Sequence, residues 1–301
     1  MEDRAERLRR IQFRRPKRKP WLEAAKVLFR DDAVMHGPPS CSMKDFMTPR
    51  LRRCPFDLAT LSSSDSLGGG LDGYCWKVKF GDKGPFVLKV FWDTEPPDFS
   101  HYFAPQRECQ NAALLQMIET AVNEAAATSS PILVNADPET QDDAFANLRA
   151  FSLEGRRRRE QDQQLVQEES SMRMISSIPR VRKCYGWLPL KTEVFRGKIP
   201  VLRPPPAITI DKINRFISAD EKTYFAIVYE YIEDEGGNDP NEVQQALDFF
   251  RLAGFSHTIA PGARNWKQGV LIDLADIVYP GGFGWFGQLY KPRVARRVLK
   301  S

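Results

Sequence analysis

Apolar and polar positions alternate most regularly over residues 74–80, where Tyr74, Trp76, Val78 and Phe80 are separated by Cys75, Lys77 and Lys79. A period of two is that of a half-buried strand. Gly81-Asp82-Lys83-Gly84 reads as a four-residue turn with glycine at both ends, which predicts a hairpin. The second strand of that hairpin, from Phe86 to Trp92, is apolar throughout except for Lys89. The period then changes. Ala112, Leu115 and Val122 recur at helical spacing with Leu114, Met117 and Ala121 beside them, predicting a helix over 102–127 with Pro105 in its first turn. Glu108 lies one turn before Ala112 on the apolar stripe and is expected to face inward.

Further along, residues 128–178 read as an insertion: Ser129-Ser130-Pro131 breaks the helix, a second helical piece is expected over 142–151, and the run Arg156 to Arg159 is expected to be exposed or partly disordered. Residues 179–190 return to strand-like content and 191–207 to loop. The segment 224–232, YFAIVYEYI, reads as a buried strand from its aromatic and β-branched content. Residues 241–252 read as a helix with Val243, Ala246, Leu247 and Phe250 on one side. A short helix over 21–29 and a strand over 56–61 complete the pattern.

Composition adds little to this picture except at one end. With 301 residues, 42% apolar and 11% aromatic, the chain suffices for one large or two small domains. The net charge of +5 is uneven: the first 20 residues hold nine Lys or Arg against three acids. Arg14-Arg15-Pro16-Lys17-Arg18-Lys19 is a dense basic cluster of the nuclear-import or phosphate-contacting kind, or else a solvated charge run. No stretch is long and apolar enough for a membrane span, and the basic start lacks the apolar segment of a secretory signal. Five cysteines without C-x-x-C spacing and three scattered histidines, His36, His101 and His257, exclude a zinc pattern and fit reduced thiols.

The chemistry is concentrated before the hairpin. Gly68, Gly70 and Gly73 form G-x-G-x-x-G. A dinucleotide fold would open a helix there, whereas here a strand follows. Glycines let a backbone approach phosphate oxygens, and a lysine on a buried strand needs a negative charge, from phosphate or from a carboxylate. Glycine loop, hairpin and Phe86-Val87-Leu88-Lys89 together resemble the start of a protein-kinase small lobe. An ordinary hairpin with its lysine at an edge is the plainer alternative. The resemblance implies Glu108 as the partner of Lys89, with Glu119 as runner-up. It also implies that Gly269 to Ala275 stands for the metal-binding D-F-G strand, with Asp273 followed by Leu274-Ala275, and that Asn265 stands for the metal-binding asparagine.

The resemblance stops at the catalytic loop. Neither counting back from Asn265 nor anchoring on His257 places a carboxylate where a kinase keeps its base, no A-P-E follows, and only 28 residues follow Asp273. The stretches GGGLDGYCWKV, PFVLKVFWD, FAPQRECQNAALL, NLRAF and RNWKQGVLIDLADIV resemble the kinase-like Fta subunits of the Sim complex, a fungal inner-kinetochore family. This implies an α+β, protein-kinase-like fold with an antiparallel small-lobe sheet, one main helix and a shortened large lobe. The expected divisions are a basic tail over 1–35, a small lobe over 36–233 and a reduced large lobe over 234–301. The function implied is that of a catalytically deficient scaffold in a nuclear, chromatin-associated complex of several protein subunits. The tail would contact DNA or chromatin, and no membrane is involved. An active ATP-dependent kinase with a rearranged loop, or a nucleic-acid-associated module, are the alternatives. Nucleotide-site residues would be Gly68, Gly70, Gly73, Lys89, Glu108, Asn265 and Asp273. Asn265 and Asp273 would be the magnesium ligands, no cofactor is assigned with certainty, and any binding of ATP with magnesium would be weak.

Overall fold

The computed structural model describes residues 19–98, 100–128, 130–161, 171–196, 202–203, 205–210, 212–234, 236–259 and 262–300. The basic cluster at 14–18 lies outside them. In chain order the elements are α1 (Pro20–Ala25), β1 (Arg30–Val34), α2 (Met43–Met47), β2 (Leu51–Arg53), β3 (Leu61–Gly69), β4 (Gly73–Phe80), β5 (Lys83–Phe91) and α3 (Ala104–Thr128). There follow β6 (Ile132–Asn135), α4 (Gln141–Ala150), α5 (Leu153–Gln161), β7 (Met172–Ile175), β8 (Cys184–Lys191), α6 (Glu193–Arg196), the β9–β10 hairpin (Ile208–Ile210, Ile213–Arg215) and β11 (Thr223–Glu230). The last part holds α7 (Pro240–Leu252), the short strands β12 (Ser256–His257), β13 (Trp266–Lys267), β14 (Val270–Leu271) and β15 (Ile277–Val278), and α8 (Ala295–Val298).

A seven-stranded sheet in the order β1-β2-β8-β11-β5-β4-β3 organises this mixed α+β fold. The alternating segment becomes β4, with Tyr74, Trp76, Val78 and Phe80 buried as expected. The turn after it is tighter than the glycine spacing suggests. Phe80 pairs with Lys83, so only Gly81 and Asp82 connect the strands, and Gly81 takes a φ of 58°. The strand entering the glycine segment is Leu61–Gly69 rather than 56–61, where a short 3-10 turn at Leu58–Thr60 stands instead.

The sheet is not wholly antiparallel. From β8 to β3 it is, but β1 with β2 and β2 with β8 are parallel. A parallel pair needs a crossover, and the segment containing α2 supplies it between β1 and β2. Hence residues 30–34, expected within the tail, join the sheet beside Leu51–Arg53.

Both faces of the sheet are buried. One cluster holds Trp76, Val78, Leu88, Val90, Leu188, Tyr224, Ala226 and Val228, covered by Phe195, Leu202 and Ile217 from the 192–217 connection. The other face packs on α3, and that core continues into α7, into Phe255 and Leu274, and into Ile132, Val134, Leu148, Phe151 and Ile175 of the segment expected as an insertion. That segment is therefore part of the main core. Arg156, expected to be exposed, reaches back to Glu124 at 2.7 Å and to the Ala121 carbonyl at 3.1 Å.

Helix α3 spans 25 residues and is buried on nearly all sides, including its polar groups. Buried polar groups require partners, and three of these donate to other parts of the chain. Gln106 Nε2 donates to the carbonyls of Ala24 and Val27, Arg107 to those of Ala275 and Phe283, and Asn111 Nδ2 to those of Leu274 and Ile277. The helix thus ties α1, the sheet and the C-terminal segment together. The aromatic glycine-rich stretch at 281–287 also acquires a packing role: the Trp285 indole is buried and donates to the Gly254 carbonyl at 3.1 Å. All five cysteines are free thiols, and no described helix is long and apolar enough to cross a membrane.

Candidate functional site

Lys89 sits on β5, an interior strand of the sheet, opposite Cys75 on β4 and Ile227 on β11. A lysine at this depth, only 7% exposed, must be neutralised. Its ammonium donates to Glu108 Oε1 and, at 3.1 Å, to Asp273 Oδ1. Glu108 projects inward from the second turn of α3 and is fully buried; its other oxygen accepts from the Tyr229 hydroxyl at 3.0 Å. Glu119, the runner-up, is exposed on the same helix. Asp273 precedes a 3-10 turn at Leu274–Asp276 and caps it by accepting from the Ala275 amide, while its outer edge stays partly open, with 30% of its side chain exposed. The expected strand through 269–275 is shorter than the apolar run implied, because Asp273 breaks the extended chain to make that cap.

The charges around Lys89 are unequal in number. Burial works to lower its pKa, but Asp273 and Glu108 hold it well above the ordinary lysine value. Burial pushes the Glu108 carboxyl up to about 7 against the pull of Lys89. Asp273 is held below the usual carboxylate range: burial would raise it, and Lys89 together with the Ala275 amide more than offsets this. Like charges sharing one cation cannot all ionise freely, so Glu108 carries the extra proton most readily.

The three glycines do different things. Gly68 takes a φ of 97°, in the left-handed region. A Cβ on Gly73 would lie 2.3 Å from the Val90 carbonyl oxygen, so the close approach of two strands excludes any side chain. Gly70 has open space around it. The turn itself is closed, with the Gly70 amide donating to the Gly73 carbonyl at 2.9 Å.

Asn265 and Asp273 stand on either side of the β13–β14 hairpin, where the Ile272 amide donates to the Asn265 carbonyl at 2.8 Å. Their side chains face different partners, since Asn265 Nδ2 donates to Asp276 Oδ2 at 2.8 Å. Asp276 was not singled out in the sequence, although it lies three residues past Asp273 on the same turn. Burial, with Asp273 nearby, raises its carboxyl to about 6. Among the described residues no group of three or more His, Cys, Asp or Glu side chains is arranged to hold a metal ion.

His257 lies elsewhere. It is buried on β12 against β15, beside Phe250 at 6.3 Å between ring centroids, and burial with Arg293 lowers its pKa to about 3. It is therefore neutral at pH 7 and has no solvent-facing proton to exchange.

Two further groups escaped the sequence reading. Asp72, within the glycine segment, is only 8% exposed and accepts from the Tyr102 hydroxyl at 2.7 Å. The Arg107 guanidinium lies over the Tyr102 ring, 3.5 Å from its centroid. The only signal in the sequence was an acidic residue inside a glycine-rich turn.

No protein-family model matches the chain, and no curated protein or solved structure matches it either.

Proposed function

We propose that this is a kinase-like protein without phosphotransferase activity, serving as a scaffold or interaction subunit within a nuclear complex of several proteins. The observation that carries the reading is the convergence of Lys89, Glu108 and Asp273 from β5, α3 and the C-terminal turn. A strand lysine held by a helix glutamate and by an aspartate from a later segment is the arrangement on which kinases rely to hold nucleotide phosphates. The order β3-β4-β5-β11-β8, antiparallel throughout, supports the same small-lobe reading. The buried, neutral His257 supports the absence of a general base in the segment where a kinase keeps one. The basic cluster before Pro20 supports nuclear residence and contact with DNA or chromatin.

The test is fractionation of the protein, tagged at its own expression level, from nuclear extract. The reading predicts a large assembly of fixed composition that still forms with Lys89→Met. Recovery as a free monomer in the cytoplasm would contradict it.

A second reading, an ATP-dependent phosphotransferase, draws on one observation. Asp276, raised to about 6 and hydrogen-bonded to Asn265, is a carboxylate near the site that could accept a hydroxyl proton.

A further inference from the structure

A small pocket lies between α1, the first turns of α3 and the C-terminal segment. Its walls are aromatic: Trp21 of α1, Phe103 just before α3, and Phe283. Contacts outside the pocket hold these walls in place. The Trp21 indole donates to the Pro97 carbonyl at 3.1 Å, and Gln106 Nε2 donates to the carbonyls of Ala24 and Val27 at 2.9 and 2.8 Å, which ties α1 to α3. The enclosed space at the base is small, with room for the end of one side chain and not for a nucleotide.

Three polar side chains line this pocket with hydrogen-bonding capacity left over. Gln110, one turn beyond Gln106 on α3 and only 4% exposed, makes no side-chain hydrogen bond among the described residues. Tyr279 is buried to the same degree, and its hydroxyl has no partner among them either. Arg107 donates once from each terminal nitrogen, to the carbonyls of Ala275 and Phe283, and a guanidinium has further N–H groups to offer. It forms no ion pair among the described residues. Asp72 reaches it only through Tyr102, whose hydroxyl binds that carboxylate and whose ring lies under the guanidinium. Burial holds Arg107 below the ordinary arginine value, and the pull of Asp72, Asp273 and Asp276 offsets this only in part.

A buried cation without an ion-pair partner, beside an unpaired amide and an unpaired hydroxyl, is costly in the free protein and is relieved by an anion. A carboxylate suits the place: it only accepts, its two oxygens match guanidinium donors, and it is flat and small. The surroundings carry the complementary charge. Lys19, the end of the basic cluster, stands two residues before Trp21, and the one acid of α1, Glu23, is engaged by Lys26 at 2.9 Å. We propose that this pocket binds the carboxylate of a glutamate or aspartate side chain on a protein partner, with Arg107, Gln110 and Tyr279 as donors and the aromatic walls around the stem. The inference rests on the interaction-subunit reading and deepens it, by naming the chemistry of the segment that docks.

The experiment follows binding of labelled probes to the full chain by fluorescence anisotropy. The probes are an octapeptide with glutamates around a central phenylalanine, the same peptide with glutamine at every glutamate, and a short duplex DNA. The wild type is expected to bind the acidic peptide, and its glutamine counterpart about tenfold or more weakly. Gln110→Leu and Tyr279→Phe should each weaken acidic-peptide binding by about three- to tenfold. They should leave the melting temperature unchanged or higher, because neither group has a partner to lose in the free protein. Arg107→Met should abolish the preference for glutamate; since it also gives up two carbonyl contacts, the other two variants keep the test decisive if it fails to fold. Absence of binding, equal binding of the glutamine peptide, or unchanged binding in Gln110→Leu and Tyr279→Phe would overturn the proposal. So would a large fall in melting temperature in both variants, which would assign the groups to packing. DNA binding weakened by Gln110→Leu would overturn it by making the pocket a phosphate site. These results are read on purified protein and stand apart from the presence of the chain in a nuclear assembly, which fractionation decides.

Discussion

The Lys89 ammonium stands 3.1 Å from the Asp273 carboxylate across 184 residues of chain. Few contacts at that separation could arise from local preference, so the two residues report how the whole molecule closes. The turn that follows Asp273 is held to α3 by Asn111, which binds the carbonyls of Leu274 and Ile277, and by Arg107, which binds that of Ala275.

The Lys89–Glu108 pair is expected to be asymmetric. Glu108→Ala leaves the Tyr229 hydroxyl without its acceptor, strands part of the lysine charge and opens a cavity, and should destabilise the protein by about 3 kcal/mol or more. Lys89→Met keeps the bulk of the stem and lets Glu108 take a proton, and should cost less. Urea unfolding of both single variants and the double variant measures this. A double-mutant cycle without coupling would rule out the pair.

Stability should depend on pH through the same glutamate. Its folded-state pKa of about 7 lies above the ordinary value of 4.5, so between those values the folded protein binds more protons than the unfolded chain. Its contribution is favourable below that window and is lost as pH rises through it. Asp276 acts in the same direction at lower pH, whereas His257, lowered to about 3, acts in the opposite one. The difference in unfolding free energy between wild type and Glu108→Gln isolates the glutamate. That difference should decline from pH 5 to pH 8, and a flat difference would show that Glu108 stays ionised throughout.

Two of the glycines should respond unequally to alanine. Gly73→Ala drives a methyl group against the Val90 carbonyl and should destabilise by about 1–3 kcal/mol. Gly70→Ala meets open space and should stay within about 0.5 kcal/mol. Thermal melts of the two variants decide the matter; equal losses would mean that the turn is closed differently from the arrangement described.

Much of the fold is legible in the sequence, because strands and helices with one buried face write their period into it. Residues 74–80 and the α7 side chains Val243, Ala246, Leu247 and Phe250 are examples. Glu108 could be found for the same reason, since it lies on the apolar stripe. The parallel strands β1 and β2 could not. Arg30–Val34 is mostly exposed, and its sequence RDDAV carries no alternation to betray pairing. Asp72, Tyr102 and Asp276 were also hidden, because their roles come from tertiary contacts that local pattern does not encode. The glycines mislead in part: spacing alone suggests a phosphate cradle, while Gly73 is required by the Val90 backbone.

Asn111→Ala tests how the C-terminal segment is held. It removes two donors at a fully buried position and leaves two carbonyls unpaired, each costing roughly 1–3 kcal/mol. Amide exchange should rise across 270–283 first, ahead of the sheet. Uniform protection across that segment would show that its own packing, rather than α3, positions Asp273.

The claim that the site does not transfer phosphate is tested most directly by incubating the purified chain with labelled ATP and magnesium or manganese. A general protein substrate is included, and Lys89→Met, His257→Ala and Asp276→Asn are run in parallel. The account predicts no labelling of the chain or of the substrate above the level seen with Lys89→Met. Stoichiometric labelling by the wild type that is lost in Lys89→Met and in Asp276→Asn would contradict it and make Asp276 the base of an active enzyme.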